Sequence, residues 1–86
     1  MEAEGINLVV SAFPNPVTDF LILRVDRYDP KDLSYQLFDI NGRMVMIGRI
    51  IGEETFIDMT GQTRALYLLN LMDNNESIKV FRIIKH

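Results

Sequence analysis

The sequence predicts an all-β domain of about seven short antiparallel strands, and three features of the chain predict it. Apolar and polar residues alternate at a period close to two, which places every second side chain on one face of a strand. Turn residues such as Asn-Gly, Thr-Gly and Asp-Asn-Asn interrupt that pattern about every ten residues. No stretch of about a dozen residues keeps apolar positions at helical spacing, and β-branched and aromatic residues fill the apolar runs. Such a pattern reads as an antiparallel sandwich of immunoglobulin-like architecture, with a small open barrel as the competing shape.

Each element follows in order. An early strand is expected over Leu8 to Phe13, ended by the Pro14-Asn15-Pro16 corner, because neither proline can donate to a ladder and Pro16 pushes Asn15 into extended geometry. Thr18 or Asp19 then bonds nearby backbone amides as the chain turns. In Phe20 to Asp26 the residues Leu21, Leu23 and Val25 share one face, while Arg24 and Asp26 mark the other as wet. Leu33, Tyr35 and Leu37 alternate with Ser34 and Gln36, and Asn41-Gly42 separates this strand from Arg43 to Ile47. Asn-Gly between two such runs predicts a hairpin with a type I′ turn, in which both residues take positive φ. Thr55 to Met59, Ala65 to Met72 and Ser77 to Lys85 complete the set, with Asp73-Asn74-Asn75-Glu76 as the last hairpin turn. The side chains expected to point inward are Leu21, Leu23, Val25, Tyr35, Leu37, Ile57, Tyr67, Leu69 and Leu71. Val80, Phe81, Ile83 and Ile84 of the final strand point to both faces, and most of the aromatics are expected in the core.

Composition limits function. At 86 residues the chain is one domain with a thin core and no room for a deep cleft. A formal charge of -3 offers no basic field for nucleic acid or anionic lipid, and no apolar run approaches the about 18 residues of a membrane-spanning helix, so neither nucleic-acid binding nor membrane insertion is expected. Residues 1–7 are acidic where a leader needs a basic start and read as linker, with the folded domain over 8–86. There is no cysteine, and the one histidine is the last residue, His86, so no catalytic residue, metal site or cofactor site is expected. Asp26, Asp29 and Asp32 flank an Asp29-Pro30 turn and read as a solvated loop rather than an acid/base pair. The Asp73 to Glu76 turn lacks the alternating acidic spacing and glycine of a dedicated calcium loop.

The motifs carry a resemblance. Phe13-Pro14-Asn15-Pro16-Val17-Thr18-Asp19 is similar to the [FY]-P-N-P-[VAT]-x-[DE] opening of the C-terminal sorting domains of type IX secretion, an outer-membrane export system of certain Gram-negative bacteria. Leu37-Phe38-Asp39-Ile40-Asn41-Gly42-Arg43-Met44-Val45 resembles the family's L-[YF]-D-[LI]-x-G-[RK]-x-[VL] hairpin. Ile57 to Gly61, Leu66 to Leu69 and Lys79 to Lys85 follow in the family's order. One departure stands out: where the family usually reads L-x-x-G-x-Y, this chain has Gln62-Thr63-Arg64-Ala65-Leu66-Tyr67, which implies a differently shaped loop.

The resemblance implies a delivery signal rather than a catalyst. It implies a larger cargo covalently linked on the N-terminal side, passage through the periplasm, and arrival at the cell surface or in the medium. The implied partners are the outer-membrane type IX translocon and a sortase-like peptidase that removes the domain. Recognition residues implied on the matching positions are Pro14, Asn15, Pro16, Asp19, Asp39, Asn41, Gly42, Arg43, Tyr67, Arg82 and Lys85. Two other classes fit a bare sandwich: a surface adhesion or carbohydrate-binding module, which would want exposed aromatics on one face, and an accessory spacer of a secreted hydrolase.

Overall fold

A computed structural model describes residues 9–26 and 32–86. The expectations for the 1–7 linker, for Leu8 and for the Asp29-Pro30 turn lie outside those residues. Seven strands run in order: β1 (Val9–Phe13), β2 (Phe20–Asp26), β3 (Leu33–Phe38), β4 (Met44–Arg49), β5 (Glu54–Asp58), β6 (Ala65–Asp73) and β7 (Glu76–Lys85). They form a three-stranded sheet in the order β1-β2-β5 and a four-stranded sheet in the order β4-β3-β6-β7, with every pairing antiparallel. The arrangement is a sandwich rather than a barrel. In immunoglobulin terms the fourth strand has left the first sheet and pairs with the third on the other.

The register shows why these residues form these strands. Leu21 pairs with Ile57, Tyr35 with Leu71 and Leu37 with Leu69, so the period-two apolar positions of neighbouring strands coincide on one face of each sheet. All nine side chains expected inward are buried, joined in the core by Val17, Leu33, Ile50, Met59 and Ile83. No polar or charged residue is buried among the described residues. At 8% exposure Tyr35 is the least covered of the core, and burial raises the pKa of its hydroxyl. Its ring lies across the partner strand at Gly48, where a Cβ would stand 2.6–2.7 Å from the ring edge and hydroxyl. Glycine there is what lets the tyrosine lie flat over β4.

Two expectations need correction. The aromatics are less buried than expected: Phe13, Phe20 and Phe56 are exposed. Their strands place them one residue out of phase with Ala12, Leu21 and Ile57, so they fall on the outer face of the three-stranded sheet. The β3–β4 connection is also not a type I′ turn, because Gly42 has positive φ (+83°) and Asn41 does not. Instead the Gly42 amide donates to the Asp39 carbonyl (3.0 Å) and the Asp39 amide to the Arg43 carbonyl (2.9 Å), a three-residue loop closed by a left-handed residue. Asp39 explains the difference, since its carboxylate accepts from the amides of Asn41 (2.9 Å) and Arg43 (3.0 Å) and fixes the loop from inside.

Gly42→Val should therefore lower stability by about 1–2 kcal/mol, the cost of holding a side chain in left-handed backbone. Space is not the issue, as nothing lies within 4 Å of a Cβ at this position. A lowered denaturation midpoint checks this; an unchanged midpoint would contradict the assigned loop geometry.

Candidate recognition site

Strand direction collects the expected recognition residues. β3, whose last residue is Phe38, and β7, whose last is Lys85, end on the same side as the starts of β4 and β6. The β1–β2 corner and the β5–β6 connection reach that side too, because the Val17 backbone bridges Lys85 and the Met59 amide donates to the Asp19 carbonyl (2.8 Å). Asp39 to Arg43 thus sits two strands, about 10 Å, from Arg82 across the sheet.

Asn15 is the centre of this end. Its side-chain amide donates to the Arg82 carbonyl (2.7 Å), and its side-chain oxygen accepts from the Ile84 amide (2.9 Å), so it pairs with β7 as a neighbouring strand would. Val17 continues the contact: its amide donates to the Ile84 carbonyl (2.8 Å) and its carbonyl accepts from the His86 amide (2.9 Å). β7 is an edge strand, and the proline corner closes the C-terminal part of that edge. Both X–Pro bonds of the corner are cis. Pro14 and Pro16, which flank Asn15, have no amide hydrogens and so cannot themselves donate to β7.

Other candidates divide between surface and interior. Asp19 and Arg43 are exposed, Arg82 is exposed with its carbonyl held by Asn15, and the half-buried Lys85 donates from Nζ to the His86 carbonyl (2.8 Å). Asn41 and Gly42 form the exposed loop tip. Tyr67 lies in the core at 3% exposure, and its hydroxyl donates to the Thr63 carbonyl (2.8 Å). This is the tyrosine corner of immunoglobulin-like sandwiches, at the start of the sixth strand and reaching back four residues. Sequence reasoning missed that role, although a tyrosine early in the penultimate strand after a turn is its signal.

Asp58 went unremarked and repeats what Asp39 does. Its carboxylate accepts from both the amide (3.0 Å) and the hydroxyl (2.6 Å) of Thr60, first the hydroxyl and then the amide holding its pKa below the usual carboxylate value. Asp-x-x-Gly occurs at both loops, Asp39 to Gly42 and Asp58 to Gly61. At the departure from the family pattern, Ala65 opens β6 in register with Lys85, and the Gln62 amide donates to the Met59 carbonyl (3.0 Å).

Asn15→Ala removes two hydrogen bonds and should cost about 1–3 kcal/mol, at about 0.5–1.5 for each. Faster hydrogen exchange at the Ile84 amide, with a lowered denaturation midpoint, is the expected result; unchanged exchange there would show that the clamp does not hold β7.

Residues 11–86 match the family model described as secretion system C-terminal sorting domain. No curated protein and no solved structure matches the chain. The sandwich, the loop held by Asp39 and the proline corner bound to β7 lie within that match, and the chain belongs to the C-terminal sorting domains of type IX secretion.

Proposed function

We propose that this sorting domain carries a cargo joined on its N-terminal side through the periplasm to the outer-membrane translocon, which reads the end of the sandwich formed by the proline corner, the Asp39 to Arg43 loop and the C-terminus. A sortase-like peptidase then removes the domain, and the cargo is left on the cell surface or in the medium. The observation that carries this reading is polarity. β1 enters at Val9 beside Asp26, at the opposite end from Phe13, so the attached cargo and the motif-bearing end face away from each other. The five residues of β1 and the seven of β2 make that separation about 13–20 Å. A receptor can approach the motif end without meeting the cargo.

An inert periplasmic reporter ending in this domain tests removal directly. The mass of the reporter recovered outside the cells should lack the domain, and in a host without the peptidase it should retain it. Recovery of the full fusion from the wild-type host would overturn the removal step. A surface-binding module is the second reading, favoured by the exposed Phe13, Phe20 and Phe56 on one sheet face. It predicts that Phe56→Ser weakens attachment of the free domain to cells or polysaccharide, whereas the sorting reading predicts no such attachment.

A further inference from the structure

The outer face of the four-stranded sheet is unusual for a chain with more acidic than basic residues. Alternation sets Ser34, Gln36 and Phe38 of β3 and Leu66, Leu68, Asn70 and Met72 of β6 outward, opposite the buried Tyr35, Leu37, Tyr67, Leu69 and Leu71. The register extends these rows to Ile47 on β4 and to Val80, Arg82 and Ile84 on β7. Ile47 is 62% and Val80 53% exposed. At the middle, the Asn70 amide donates to Gln36 Oε1 (3.4 Å) and Ser77 donates to Asn70 Oδ1, so the central polar groups satisfy one another. That leaves an apolar surface which loses little by being dried.

Its charges are of one sign. Arg49, on the row of Ser34, and Arg82, on the row of Leu68, lie on opposite edge strands, and among the described residues neither guanidinium has an ion pair. No carboxylate stands on the outward rows between them. The other sheet differs: its outward arginine, Arg24, is already engaged by Asp26 (3.3 Å) and Glu54 (3.7 Å). Unpaired arginines at the margin of an apolar patch are the composition of a protein interface awaiting carboxylates. Two copies meeting face to face would bring four guanidinium groups together with no carboxylate to receive them, which disfavours a symmetric dimer through this surface.

We infer that the outer face of the β4-β3-β6-β7 sheet is a docking surface for a protein partner whose own surface is apolar and bears carboxylates placed to meet Arg49 and Arg82. The inference rests on the sorting reading, and the partner belongs to the export machinery. The test uses the reporter fusion in a type IX-competent host. Arg49→Glu with Arg82→Glu should lower the reporter outside the cells about tenfold, the equivalent of one well-placed interfacial charge contact, while lysine at both positions restores most of it. Ile47→Glu with Val80→Glu, at exposed positions, should do the same by a different route. Phe56→Glu, on the opposite sheet, should leave export as it was.

Melting midpoints close to that of the unaltered domain show that the variants act at the surface. If the unaltered fusion itself stays in the periplasm, the sorting reading falls and this inference with it. If the unaltered fusion is exported and both glutamate pairs are exported equally well, or lose export only by unfolding, the docking surface alone is overturned. Self-association of the free domain that Ile47→Glu with Val80→Glu abolishes would make a second copy the occupant and overturn the inference as well.

Discussion

Removing Arg82 to His86 is expected to unfold the domain, with loss of the cooperative thermal transition in circular dichroism. These five residues complete four cross-strand positions of β7 on β6, from Leu68↔Arg82 to Ala65↔Lys85. They also supply Ile83, which is fully buried between the sheets, and every backbone partner of Asn15 and Val17. Burial of one large aliphatic side chain is worth about 1.5–3 kcal/mol. The lost hydrogen bonds add about 0.5–1.5 kcal/mol each, against a total stability for a domain of this size of about 5–10 kcal/mol. Loss of export by such a truncation would report on folding. A truncated domain that melts cooperatively near the midpoint of the intact one would contradict the role assigned to the C-terminal strand.

Leu69→Ala should be the most damaging single substitution in the four-stranded sheet, at about 2–5 kcal/mol. Leu69 is fully buried, pairs with Leu37 on one side and Phe81 on the other, and sits on the central strand of the longest ladder. Its neighbours are held by two strands and cannot collapse into the cavity, which puts the cost toward the upper end. Urea denaturation measures it, and a cost under about 1 kcal/mol would contradict the close-packed core.

Much of this fold was legible because period two is a strong signal where one face is wet. Leu21, Leu23 and Val25 alternate with Ile22, Arg24 and Asp26, and that alternation alone sets both strand and face. The exposed phenylalanines were harder, since Phe20 and Phe56 lie beside Leu21 and Ile57 and the identity of an apolar residue does not say which side of the pleat it takes. The Asn41-Gly42 pair predicted the hairpin correctly and its turn type wrongly, because Asp39 supplies two local hydrogen bonds that a dipeptide rule does not count. The link least visible in the chain was Asn15 to β7: its partners are 67 and 69 residues away, and nothing local to a Pro-Asn-Pro corner specifies them. Tyr67 likewise reads as one more inward aromatic until its hydroxyl is placed on Thr63.

The central claim is that this domain is sufficient as a sorting signal. The direct measurement is the share of an inert reporter found outside the outer membrane when it ends in residues 9–86, compared in a type IX-competent strain and in the same strain without its translocon. The account predicts export in the first and periplasmic retention in the second, with the domain folded in both. A folded fusion retained in the periplasm of the competent strain, or exported equally from both, would contradict it.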